Sequence, residues 1–229
     1  MKAFKPAASK FLSSFVCLLA IVLASAFSFP ASMPTEETIE SKNIKPMPRD
    51  QEIAMALSAA PVHLRKDATV YVLENGKYAK VRKGTNGFHC LVVRFGDIIA
   101  PYAYDQEGAE TLMQADFRRA ELIAQGKKLQ EAQKIIAKEF KSGKLIAPRR
   151  SGVAYMLSAD FVRHDHKTGK ESQVFPPHVM FYAPYLKNSD IGALPEHFNS
   201  PDHVYVLNEG QPGALLIVVP KSNPAETKK

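Results

Sequence analysis

Residues 69–82 read TVYVLENGKYAKVR. Thr69–Glu74 and Lys77–Arg82 are β-prone runs, and Asn75-Gly76 between them supplies the two positive φ angles of a two-residue hairpin turn. Gly84-Thr85-Asn86-Gly87 then reads as a second turn that leads into Phe88–Arg94 (FHCLVVR). Three runs joined by two tight turns predict a three-stranded antiparallel meander.

Downstream the period changes. Met113, Phe117, Ala120 and Ala124 recur at steps of three or four, and Gly126 stops the run. Leu129, Ala132, Ile136 and Phe140 mark a second helix ending at Ser142-Gly143. The pair predicts a helical hairpin whose apolar stripe packs on the meander. Strand-like runs return at Gly152–Leu157, Val179–Tyr182, His203–Leu207 and Ala214–Val219. Upstream, Asp50 reads as the cap of a short helix carrying Ile53, Met55, Ala56 and Ala59-Ala60, stopped by Pro61. Strands, helices, then strands predict a single α+β domain over residues 50–220, with an antiparallel sheet packed against a central helical hairpin.

The segment before this domain reads as an address. Lys2, Lys5 and Lys10 precede the apolar run Phe11–Leu23, which is followed by Ala24-Ser25-Ala26. That is the layout of a secretory leader, and its 13 apolar residues fall short of the ~20 that span a bilayer. Residues 1–26 are read as a signal peptide, 27–49 as a Pro-rich flexible linker and 221–229 as a frayed tail. The alternative is an uncleaved anchor, since Phe27 and Phe29 extend the apolar stretch. Cleavage removes three lysines and no acid, so it trims the formal surplus of +7. It also discards Cys17 and leaves Cys90 without an internal disulfide partner. The expected product is a periplasmic or secreted monomer with no membrane span, held together by its apolar core.

Three segments, GTNG-x-x-C at Gly84–Cys90, GVAYML at Gly152–Leu157 and PPHVM at Pro176–Met180, resemble a group of uncharacterised exported bacterial proteins. The resemblance covers roughly residues 50–220. It implies a location in the bacterial envelope or outside the cell, and it carries over no catalytic residue.

Candidate chemistry is sparse. Strand alternation sends His89 and Cys90 to opposite faces, so Cys90 reads as a buried thiol beside Phe88 and Val92. His164-Asp165-His166 places two imidazoles two residues apart, a weak metal candidate at a lysine-flanked turn. His178 follows Pro176-Pro177 and opens an apolar strand, which suits either a pocket wall or a core histidine with one backbone hydrogen bond. The basic stretch Lys127–Arg150 lacks a stacking platform for nucleic acid and reads as a solvated face, with docking to a structural partner as its alternative. No P-loop, G-x-G-x-x-G, G-x-S-x-G, H-E-x-x-H or haem motif occurs, so no cofactor is assigned. The favoured function is a non-catalytic module that binds an envelope ligand or protein near His178, Tyr155 and Asn86. The alternative is an envelope enzyme using His178 with Asp160 or Cys90, with or without a metal.

The leader reading has a direct check. Intact mass of protein from the envelope fraction should correspond to a chain starting near Phe27. A full-length mass retained on membranes after a salt wash would establish the anchor instead.

Overall fold

The computed structural model describes residues 47–165, 167–198 and 200–220. The leader, most of the linker, the tail and His166 lie outside the described residues. Asn75 and Gly76 carry φ angles of 51° and 78°, as the hairpin turn requires. β1 (Thr69–Glu74) and β2 (Lys77–Arg82) pair antiparallel from Glu74↔Lys77 to Val70↔Arg82.

The predicted meander ends there. Residues 83–88 cross the head of β1 instead of turning back beside β2. β3 (His89–Phe95) then runs parallel to β1 on its other side, through Thr69↔His89 and Val70↔Cys90. Gly84 explains the route. A Cβ at this position would lie 2.3 Å from the backbone of Asp67, Ala68 and Thr69. The crossing is also tied down by hydrogen bonds. The Thr85 and Asn86 amides donate to the Asp67 carbonyl at 2.8 and 3.3 Å, and the Thr69 amide donates to the Phe88 carbonyl at 2.8 Å. This glycine serves the close approach of two backbone segments rather than a hairpin turn.

β3 returns through Gly96-Asp97 into β4 (Ile98–Tyr104), in register from Phe95↔Ile98 to His89↔Tyr104. The sequence reading names no strand here, and Pro101 is a poor sign of a central one. The far side of β4 is shared between two partners. β5 (Val153–Met156) pairs at Ala103–Tyr104 and β6 (Val162–His164) at Ile98–Ile99, and Pro101 lies at the break between them. β7 (Glu171–Gln173) pairs with β6. From β5 the sheet continues antiparallel through β8 (His178–Tyr182), β10 (Leu215–Val218) and β9 (Tyr205–Leu207). The α+β class stands, with ten strands among the described residues in one mixed, mostly antiparallel sheet.

Because β1 and β3 lie inside the sheet, both their faces need cover. Val70, Cys90, Val92 and Ala103 pack against Ala56, Ala59 and Ala60 of the first helical segment. This helix, α1 (Arg49–Ser58), follows Pro48, so Asp50 sits within its first turn rather than at the cap. A carboxylate there still suits the positive end of the helix dipole. Glu52 of α1 accepts the Leu73 amide at 2.9 Å and pairs with Arg94 of β3, the two side chains being 2% and 5% exposed. Burial raises the Glu52 pKa, against the pull of the Leu73 amide and Arg94. A four-residue helix, α2 (Val62–Arg65), follows Pro61.

The opposite face is covered by α3 (Gln106–Glu110), α4 (Leu112–Ala124) and α5 (Leu129–Lys141). The predicted helical hairpin is therefore α4–α5. Phe117 of α4 lies between the rings of Tyr71 and Tyr78, at centroid distances of 5.3 and 4.9 Å. Ala132 and Ile136 of α5 close on Ala115 and Leu122 of α4, and Phe140 packs partly buried at their edge. Among the described residues, no helix is long and apolar enough to cross a membrane.

The crossing generates a paired stability test. Gly84→Ala should lower stability by about 3 kcal/mol, because the clash is with backbone that cannot yield. Gly87→Ala should cost only about 1 kcal/mol, the strain of an alanine at positive φ, since its φ is +76° and nothing lies within 4 Å of the added Cβ. Urea midpoints read both. Equal losses would show that turn conformation, and not the backbone crossing, governs this loop.

Candidate functional site

The residues singled out from the sequence do not converge. The Asn86 side-chain amide donates to the Leu64 carbonyl at 2.7 Å, and its carbonyl oxygen accepts the Phe88 amide at 3.0 Å. Both ends of this side chain therefore secure the crossing loop. Tyr155 lies on the α1 side of the sheet, its ring 5.9 Å from that of Phe88. His178 shares the opposite side of β8 with Met180 and Tyr182 and is 2% exposed. Its Nδ1 donates to the Pro176 carbonyl at 2.8 Å, and its ring packs edge-on to Phe175 at 4.8 Å. Burial lowers the His178 pKa, so the ring is neutral and its one proton is on Nδ1.

The groups weighed as partners of His178 are engaged elsewhere. Asp160 accepts a hydrogen bond from the Ser158 hydroxyl at 3.0 Å. Cys90 is fully buried on the α1 side, where burial pushes its thiol up to about 12. His164 lies 3.6 Å from Glu171 across β6–β7. Asp165 holds the following turn by accepting the Lys167 amide at 2.8 Å and the Thr168 hydroxyl at 2.7 Å. Among the described residues, no three of His, Cys, Asp and Glu gather as a metal ion would need.

Several charges of the basic stretch are matched internally. Lys144 and Arg118 both reach Glu139, at 2.6 and 3.0 Å. Arg149 and Arg150 both reach Glu107, which also accepts the Arg149 amide at 2.7 Å. That amide bond leads the interactions that hold the Glu107 carboxyl below its usual range.

Polar groups converge in a different place, a cleft of about 350 Å³ between α4, α5 and the sheet. The volume lies in the range of small-molecule sites, and the walls are mostly apolar, as such sites are. Each element presents one face to it. Leu112, Ala115, Asp116 and Arg119 follow at helical spacing along α4, beside the stripe that packs on the sheet. Ile136, Ala137 and Phe140 line it from α5, and Tyr102 and Tyr104 from β4 at strand spacing. Leu207 and Leu215 contribute from β9 and β10.

Charge is confined to one part of this cleft. The Tyr104 hydroxyl donates to one oxygen of Asp116 at 2.8 Å, and Arg119 Nη1 donates to the other at 2.5 Å. Tyr102 stacks on Tyr104, with centroids 5.3 Å apart and planes 10° apart. The Arg119 guanidinium lies 6.0 Å from the centroid of Phe95. Burial and then the Asp116 charge raise the pKa of both tyrosines, so their hydroxyls stay protonated. Burial alone would lower the Arg119 pKa, but Asp116 outweighs it and the guanidinium stays charged. Arg119 and the Tyr102 phenol thus keep N–H and O–H groups to donate, while the single Tyr104 proton is given to Asp116. The sequence signal for this site is Asp116-x-x-Arg119 within an amphipathic run, together with Tyr102-x-Tyr104 on the strand that Pro101 conceals.

The buried thiol gives a clean check on the packing of β3. A maleimide should label Cys90 slowly in native protein and within minutes in denaturant, with the ratio read by mass. Fast native labelling would place this face of β3 in contact with solvent.

No protein family, curated protein or solved structure matches this chain.

Proposed function

We propose that the protein is an exported, non-catalytic binding module of the bacterial envelope, and that its ligand is a small, largely apolar molecule held in the cleft between α4, α5 and the sheet. The observation that carries this reading is the cleft itself, about 350 Å³ lined mostly by apolar side chains, with Asp116, Arg119, Tyr102 and Tyr104 grouped on its wall. Binding is favoured over catalysis because Asp116 is held in an ion pair with Arg119 and, among the described residues, no His, Cys, Ser, Thr or Lys lines the space beside it. Export is supported by the lysines and apolar run of residues 1–26.

Nile red, an uncharged dye that brightens in apolar surroundings, tests the cleft. The mature chain should bind it saturably, in a 1:1 ratio and with a Kd in the micromolar range. Ala137 is exposed at the rim of the cleft, so Ala137→Trp should weaken dye binding by roughly tenfold or more, equivalent to ~1.4 kcal/mol, without lowering the melting temperature. Equal uptake by the two proteins would remove the cleft as the binding site.

A further inference from the structure

Resting on the cleft reading above, we infer that the site selects an uncharged amphiphile: an alkyl or aromatic body carrying one hydrogen-bond-accepting oxygen, of a hydroxyl or carbonyl group. Two independent features of the cleft specify this class.

The first is charge. Asp116 and Arg119 are 2.5 Å apart and cancel each other at the wall. A ligand carboxylate would meet the cation and the anion together, so attraction and repulsion would largely offset while it lost its hydration. A ligand ammonium would meet the Arg119 cation beside the same carboxylate, so its attraction to Asp116 would be offset in the same way. An uncharged oxygen avoids both costs.

The second is the balance of donors and acceptors. Tyr102 lines the cleft beside this pair, and among the described residues no protein group accepts a hydrogen bond from its hydroxyl. Arg119 has N–H groups beyond the one given to Asp116. This part of the wall therefore offers donors to a ligand, while its one carboxylate is already paired with Arg119 and Tyr104. Around it, Phe95, Leu112, Ile136 and Phe140 supply apolar contact. An oxygen at one end of an apolar body satisfies both halves of the site.

The experiment displaces Nile red from the mature chain with a matched pair, 1-octanol and octanoate, at pH 8. Octanol should displace the dye at a concentration about tenfold or more below octanoate. Tyr102→Phe keeps the ring and removes only the donor, and it should weaken octanol by roughly tenfold, the worth of one hydrogen bond in an apolar site. The melting temperature of the variant, measured alongside, establishes that it is folded. Octanoate matching or surpassing octanol on the wild-type protein would overturn the ligand class while leaving the cleft as a site. An octanol affinity unchanged in Tyr102→Phe would overturn the role of the donor wall. Dye uptake indifferent to Ala137→Trp would instead defeat the cleft reading, and this inference with it.

Discussion

Everything in the sheet depends on the chain crossing the head of β1 at Gly84. A return beside β2 would leave β2 in the middle of a small meander, with β1 and β3 at its edges. The crossing instead carries β3 to the other side of β1, in parallel, and from there the sheet grows through β4 to β5, β8, β10 and β9. Two strands in the middle of a sheet bury both faces, and the cover differs on each. On one face Ala56 of α1, with Ala59 and Ala60 just after it, lets helix and sheet approach closely. The Glu52–Arg94 pair fixes that approach, because Glu52 also accepts the Leu73 amide of β1. Ion pairs this deep gain little net stability against an apolar replacement. This one ties a helix to two strands at defined positions.

The cleft follows from how the other face is covered. Asp105 accepts the Gly108 and Val153 amides at 2.9 and 2.8 Å, and the Tyr182 hydroxyl lies 2.9 Å from the same carboxylate. One side chain therefore starts α3 and fastens it to β5 and β8. α4 follows directly and has two working faces. Phe117 packs between Tyr71 and Tyr78, while Leu112, Ala115, Asp116 and Arg119 turn toward α5 and the far strands. Since α5 packs on α4 through Ala132 and Ile136, space remains between the helical pair and β9–β10. The cavity is a product of helix placement, and its polar groups come from the helix and strand that frame it.

The sequence carries the fold class because periodicity is local. The change from period two to period 3.6 at residues 105–141, and the return to strand-like runs after Gly152, need no tertiary information. What it conceals is long-range. Glycine has two uses, positive φ and close approach, and Gly84 looks like the first while serving the second. Pro101 hides β4 because a proline inside an apolar run normally argues against a central strand, and only the split pairing of β4 with β5 and β6 accommodates it. With β4 hidden, nothing in the sequence places Tyr102 and Tyr104 beside Asp116 and Arg119 of α4.

The same physics separates conspicuous residues from available ones. Asn86 and His178 stand out in sequence because a polar group beside a turn or an apolar run suggests recognition. Both are satisfied by backbone, Asn86 at both ends of its amide and His178 through Nδ1. A buried polar group whose bonds are made contributes to the fold, because breaking them for a ligand would forfeit what the ligand supplies. Recognition needs the opposite condition, a held donor whose partner is missing. On the cleft wall, Tyr104 and Arg119 use Asp116 to fix their own positions, and Tyr102 stacks on Tyr104 while its hydroxyl, among the described residues, has no hydrogen-bond partner. Ring contacts hold the phenol in place while its proton stays unspent. Under the binding reading proposed above, it is this donor, rather than a histidine or a charge, that a ligand would engage.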